Sequence, residues 1–134
     1  MPKARKLRTP LYVSIVAGSR ETLDGLRSYL EQAGVSSHST RALHDLAMVA
    51  PAFATATVIF PDDFPDEESL ALVHHLRSER PQLLALIVTR QPSRFRDAAA
   101  ADGRSLPPII LPRPSFGWEI LDVVRAHSAS RSAS

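Results

Sequence analysis

Short apolar runs alternate along this chain with segments whose apolar residues recur every three or four positions. The first run, Leu11–Ala17 (LYVSIVA), has strand character and is broken by Gly18. Leu23, Leu26, Leu30 and Ala33 then recur at helical spacing, and Gly34 is a stop signal. Ser19 stands where a cap is expected, because its oxygen can accept an orphan N–H of the first turn. Val35–Ser39 reads as a weak second strand, and Thr40 caps a helix with Leu43, Leu46, Ala47 and Ala50 on its apolar face, ended by Pro51. Ala56–Phe60 is the third strand, and its unbroken apolar character suits a sheet covered on both faces. Asp66, Glu67 and Glu68 open the next helix, where acids complement the positive end of the helix dipole. Leu70, Val73 and Leu76 carry it to about Arg80. Leu83–Val88 is the fourth strand, Ser93 caps a short Ala-rich helix over Arg94–Asp102, and Gly103 stops it. Ile109–Leu111 is a short fifth strand between prolines. Ser115 caps a last helix, with Trp118 or Phe116, Leu121 and Val124 facing inward.

Five strands alternating with five helices predict an α/β fold, a parallel sheet with helices on both faces. The right-handed crossover rule leaves few topologies, and the flavodoxin-like order 2-1-3-4-5 is the common small one. The 134 residues fit a single domain that can bury a core unaided. We place that domain at residues 10–127, between a basic tail over 1–9 and a small-residue run, Ser128–Ser134 (SASRSAS), that reads as a frayed tail or linker start.

The net charge of +2 hides an asymmetry. Lys3, Arg5, Lys6 and Arg8 give the first nine residues +4 with no acid, leaving 12 of the 16 basic residues against all 14 acids, a net −2. The tail is either a solvated terminus or a contact for nucleic acid or another polyanion. There is no Cys, which excludes disulfides and thiolate chemistry and fits a reducing compartment. No apolar run approaches the roughly 20 residues that span a bilayer, and the N-terminus has no signal-peptide pattern, so the expected location is the cytoplasm, without membrane contact.

The stretch Thr57–Pro65 (TVIFPDDFP) gives a more specific pointer: a strand, an acidic loop, and Pro65 four positions after Pro61. Together with Thr89 at the end of the fourth strand (LIVTR) and Arg113-Pro114 after the fifth, it resembles a response-regulator receiver domain of two-component signal transduction, over roughly Leu11–Ala126. The resemblance implies a CheY-like (βα)5 three-layer sandwich. It also implies a phosphoryl-accepting Asp four positions before the Pro, acids after the first strand that hold Mg²⁺ with it, a hydroxyl residue after the fourth strand and a Lys-Pro pair after the fifth.

This chain departs from the pattern at the positions that carry the chemistry. Pro61 stands at the acceptor, Ala17 and Gly18 replace the acids, Arg113 replaces the Lys, and Ile110 stands where an aromatic often lies; Thr89 is retained. The pattern resembles a degenerate, pseudo-receiver type. Mg²⁺ wants oxygen ligands in near-octahedral geometry, and neither Ala17 nor Gly18 offers a side-chain oxygen. Without the cation, charge on a transferring phosphoryl group lacks its main stabiliser. The expectation is a non-enzymatic protein–protein interaction module in bacterial signalling, with no cofactor and no metal. Arg113 could pair through its fork with a nearby carboxylate such as Asp62. The resemblance also implies a cis Arg113–Pro114 bond.

Other constellations leave alternatives open. Asp62, Asp63, Asp66, Glu67 and Glu68 crowd one loop; they form a solvated helix start, a cation site, or a shifted acceptor at Asp62 or Asp63 in a divergent active receiver. His74 and His75 point about 100° apart on a helix and cannot chelate one metal together. His38, His44 and His127 lack partners at ligand spacing. Gly18-Ser19 lies where many folds bind phosphate, but AGSRET is neither a Walker loop nor a GxGxxG turn. The resemblance also implies a homodimer or partner face built from the fourth predicted helix, the fifth strand and the fifth predicted helix. Its candidate residues are Arg90, Arg94, Phe95, Arg96, Arg104, Ile110 and Trp118, or these arginines simply keep the surface soluble. Exposure of Phe95 and Trp118 would signal a partner, and burial would make them core.

Overall fold

A computed structural model describes residues 11–43, 54–97 and 107–133, with side chains described through residue 128. Five strands, β1 (Tyr12–Val16), β2 (Ser36–Thr40), β3 (Ala56–Ile59), β4 (Leu84–Thr89) and β5 (Ile109–Pro112), form one sheet in the order β2-β1-β3-β4-β5. Every pairing is parallel; Val13 lies opposite Ala56, Val58 opposite Leu86, and Ile87 opposite Ile110. The described helices are α1 (Arg20–Gln32), α2 (Asp66–Glu79) and α3 (Gly117–Ala133). The strand order is the flavodoxin-like one expected from the alternation of runs, and the CheY-like arrangement is the one the receiver resemblance implies.

Because β1, β3 and β4 are interior, alternate residues of each feed two cores. Val13, Ile15, Val58, Leu86 and Val88 pack with Leu23, Leu26 and Leu30 of α1 and Ile120, Leu121 and Val124 of α3. On the other face Val16, Ile59 and Ile87 meet Leu72, Val73 and Leu76 of α2, with Leu43 and Phe95. Two strand hydroxyls lie among these apolar groups: Ser14 and Thr57, opposite each other in the β1–β3 register, are fully buried and neither Oγ finds a hydrogen-bond partner among the described residues.

Local signals explain most helix ends. Ser19 caps α1, its Oγ accepting the Thr22 N–H at 3.3 Å. Gly34 follows the helix at φ +81°, a conformation that glycine adopts without a Cβ clash. Asp66, Glu67 and Glu68 occupy the first turn of α2.

The last helix differs from expectation. Ser115 does not cap it; its Oγ–H turns back to the Pro112 carbonyl. Glu119 instead reaches back to accept the Phe116 N–H at 2.7 Å, one half of a capping box, and the helix begins at Gly117. This phase buries Ile120, Leu121 and Val124 and leaves Phe116 and Trp118 exposed, so the expected inward aromatic is corrected. The helix also continues through Ala133, where the SASRSAS run reads as a frayed tail. Small residues do not oppose a helix that packing has already nucleated.

The expected second helix over 43–50 and most of the helix over 94–102 lie outside the described residues. What is described there is buried Leu43 and a single 3₁₀ turn, Pro92–Phe95.

Candidate functional site

In a parallel sheet of this kind the crevice at the carboxyl ends of the central strands is where chemistry is sited. Here a 3₁₀ turn, Pro61–Asp63, follows β3, with Pro61 buried at its first position. The fixed φ of proline suits the start of such a turn, and its missing N–H is not needed there. The turn sends two consecutive carboxylates to opposite neighbours. Asp62 goes to the end of β4, where its Oδ1 accepts the Thr89 hydroxyl at 2.6 Å and its Oδ2 accepts the Arg90 N–H at 2.8 Å. Asp63 goes to the end of β1, where its Oδ2 accepts the N–H groups of Gly18 at 2.9 Å and Ser19 at 3.4 Å.

Arg113, just past β5, closes the group. Its Nη1 lies 3.4 Å from Asp63 Oδ1 and 3.8 Å from Asp62 Oδ2. Its Nη2 donates to Thr22 Oγ1 at 3.4 Å, and its guanidinium carbon sits 5.3 Å from the centre of the Phe60 ring. The side chains of Asp62, Asp63 and Arg113 are only 17, 19 and 13% exposed, although the turn's main chain is open to solvent. Thr89 is oriented twice over, since its Oγ1 also accepts the Gln91 N–H at 3.1 Å. Arg41 braces the β1 end, donating from Nε to the Gly18 carbonyl at 3.0 Å. The Arg113–Pro114 peptide bond is cis.

The arrangement brings Gly18, Asp62, Thr89 and Arg113 together, with Pro61 buried beneath and Ala17 fully buried in the core. Acceptor oxygens stand in this crevice although Ala17 and Gly18 supply none from their side chains. Two carboxylates fill it from the turn itself. The sequence pointed to Asp62 as a partner of Arg113, but not to Asp63 as a partner of Gly18. The missed signal is Gly18, which reads as a strand breaker. A Cβ there would stand 2.8 Å from Asp63 Cβ, so only glycine lets this carboxylate approach the β1 end.

A divalent cation does not fit these residues. Ala17 and Gly18 present no side-chain oxygen, both oxygens of Asp62 and of Asp63 are already engaged, and the Arg113 guanidinium occupies the position facing both. Among the described residues no group of three or more His, Asp or Glu is placed to hold a metal. Asp66 pairs instead with Arg94 at 2.8 Å, and His74 and His75 are both exposed.

The expected partner face is only partly assembled. Phe95 is 2% exposed and belongs to the core, which removes it from any surface. A lone aromatic between two arginines looks superficial, but the 3₁₀ turn directs it into the second core cluster, to which Ile87 and Leu76 also belong. Ile110 is half-buried against the same cluster. Arg90, Arg94 and Arg96 are exposed, and Arg104 lies outside the described residues. Trp118 is exposed too, but it stacks on Phe116 rather than joining Phe95.

Comparison with solved structures places this architecture among CheY-like response-regulator receiver domains. A CheY-like receiver domain protein from Methanospirillum hungatei superposes with a TM-score of 0.74 at 17% identity, over 93% of this chain and 98% of that one. The receiver domain of an HD domain-containing protein from Pseudomonas fluorescens gives 0.75 at 16%, over 94% and 100%. A putative pilus assembly-related protein from Burkholderia pseudomallei gives 0.69 at 16%, over 92% of each chain. At such identities the likeness is one of fold. No family model and no curated protein matches the sequence. Among the described residues no helix is long and apolar enough to cross a membrane.

Proposed function

We propose that this chain is a pseudo-receiver: a module with the receiver fold that takes no phosphoryl group and acts in signalling or regulation by contacting another protein. The observation that carries this reading is the saturation of the crevice by the chain's own groups. Asp62 and Asp63 occupy the donors, Thr89 hydroxyl, main-chain N–H groups and Arg113 guanidinium, that would otherwise face an incoming anion. Pro61, at the strand-end position of the acceptor, has no nucleophilic atom. Phosphoryl transfer depends on positioned cationic charge over the transferring group. Here Arg113, the cation that faces the crevice, is held between two carboxylates.

The rival reading is a divergent receiver in which Asp62 accepts the phosphoryl group. It has one observation in its favour, the direct contact of Asp62 with Thr89 and its nearness to Arg113. Against it, both oxygens of Asp62 accept short hydrogen bonds, which weaken the carboxylate as a nucleophile, and the positions after β1 offer no side-chain carboxylate to help hold Mg²⁺. Incubation with acetyl phosphate and Mg²⁺, followed by intact-mass measurement, separates the two. An unchanged mass is expected, and an acid-labile phosphoryl adduct mapped to Asp62 or Asp63 would overturn the pseudo-receiver reading.

A further inference from the structure

A groove of about 300 Å³ opens between the first half of α1 and the turn that enters α3. Leu26, Phe60, Pro114, Phe116 and Ile120 form its apolar walls. Small-molecule sites run from about 300 to 1,000 Å³, so this one suits a ligand of a single ring. Gly25 keeps it open. This residue lies inside α1 without a positive φ, and nothing stands within 4 Å of the position a Cβ would take. Neither a turn nor a tight packing contact calls for glycine there, and glycine weakens a helix interior relative to alanine. What the missing side chain supplies is room in the groove. Phe116, a large apolar side chain at its rim, stays 65% exposed.

The polar lining selects the charge of the ligand. Glu21 and Arg113 are the charged residues in the lining. The Arg113 charge is already met, its Nη1 facing Asp63 at 3.4 Å and Asp62 at 3.8 Å. Glu21 makes no ion pair or side-chain hydrogen bond among the described residues. The positive ends of α1 and α3 also border the groove, but each is already complemented. Ser19 Oγ accepts from Thr22, Asp63 Oδ2 from Ser19, and Glu119 Oε1 from Phe116. Ser115 offers only lone pairs, because its proton goes to the Pro112 carbonyl. An unpaired carboxylate and an acceptor oxygen thus remain beside two aromatic rings, Phe60 and Phe116. Aromatic faces attract cations, and the Phe60 ring already lies 5.3 Å from the Arg113 guanidinium carbon.

We propose that this groove binds a small organic cation carrying one apolar ring, an arylalkyl ammonium. The ammonium lies on Glu21 and Ser115, and the ring lies over Gly25 among Leu26, Pro114, Phe116 and Ile120. This binding goes beyond the pseudo-receiver reading and stands whether or not Asp62 takes a phosphoryl group.

The test is a titration of the isotope-labelled full chain with phenethylamine, followed through its amide NMR shifts. Saturable shifts are expected at Gly25, Phe116 and Gly117, with a dissociation constant in the roughly millimolar range for so small a probe. Phenylpropionate, similar in shape but anionic, and the neutral phenethyl alcohol should each bind at least about tenfold more weakly. Glu21→Gln, exposed and isosteric, should weaken the amine about tenfold and abolish its advantage over the alcohol. Gly25→Leu should fold, since the space is open, and lose the amine altogether. No saturable shift in the groove overturns the proposal, as does a folded Gly25→Leu chain that still binds or a Glu21→Gln chain that still prefers the amine. Equal binding of phenylpropionate would make this an anion site on Arg113. Equal binding of butylamine would mean that a ringless cation, such as the lysine side chain of a partner protein, is what the groove reads. Either result overturns the proposal too.

Discussion

Asp62 and Thr89, 27 residues apart in sequence, are joined by a 2.6 Å hydrogen bond that ties the turn after β3 to the end of β4. Together with the Arg90 N–H bond at 2.8 Å, it makes Asp62 a clamp between two strands. Bonds to a charged acceptor contribute roughly 1.5–3 kcal/mol each where water is excluded, and less at the mouth of a crevice, where water can step in. Asp62→Ala should therefore cost about 2 kcal/mol, and Asp62→Asn about half of that, because the amide oxygen can still accept from Thr89. Urea unfolding at unchanged slope would measure both. A midpoint that does not move in the alanine variant would mean that the contact adds no stability.

The same turn places Asp63 against Gly18, and this makes a prediction from two glycines. A Cβ at Gly18 meets Asp63 Cβ at 2.8 Å, close to the main chain, where no rotamer change can clear it. Gly18→Ala should push Asp63 off the Gly18 and Ser19 N–H groups and cost roughly 1–3 kcal/mol. Gly25, inside α1, has nothing within 4 Å of its Cβ position. Gly25→Ala should stabilise by roughly 0.5–1 kcal/mol, since alanine is the better helix former. Thermal unfolding of both variants should give shifts of opposite sign.

Thr57 offers a third measurement. It is fully buried between β1 and β4, and its hydroxyl has no partner among the described residues. An unsatisfied buried hydroxyl carries its desolvation cost without return, so the near-isosteric Thr57→Val should stabilise by about 1 kcal/mol. A destabilised valine variant would show that the hydroxyl is satisfied, by water or otherwise.

These sites show what the chain makes legible and what it does not. The sheet could be read because β3 and β4 are buried on both faces and therefore appear as unbroken apolar runs, Ala56–Phe60 and Leu83–Val88. The caps at Ser19 and Gly34 are local signals, decided within a few residues, and they too were readable. The contact of Asp63 with Gly18 spans 45 residues, and nothing near either one announces it. Phe95 was misplaced for a similar reason. Its arginine neighbours describe the surface of the turn, while its own direction is set by a 3₁₀ geometry that only the packed structure decides. Trp118 is misread from the sequence through phase: the buried stripe is centred on Ile120, Leu121 and Val124, and Trp118, two residues before Ile120, points about 160° away from that residue.

The last prediction concerns Arg113, the cation between the two carboxylates. Its guanidinium lies 3.4 Å from Asp63 and 3.8 Å from Asp62 with 13% of its side chain exposed, so it neutralises a partly buried acidic pair rather than a surface one. Arg113→Met keeps the apolar stem near Phe60 and removes the charge. Asp62 and Asp63 would then face each other's charge with only neutral donors for compensation, and the fold should lose about 1–3 kcal/mol. The sign of the salt response identifies the cause. Ions screen repulsion between carboxylates, with a Debye length falling from about 30 Å at 0.01 M to about 3 Å at 1 M, so added salt should narrow the gap between variant and wild type. Mg²⁺ should narrow it more than Na⁺ at equal ionic strength, because a divalent ion can sit between two carboxylates that no longer share a guanidinium. Paired chemical denaturation of Arg113→Met and wild type in NaCl and MgCl₂ series measures this. If the gap stays constant across both series, Arg113 acts through packing on Phe60 and not through charge.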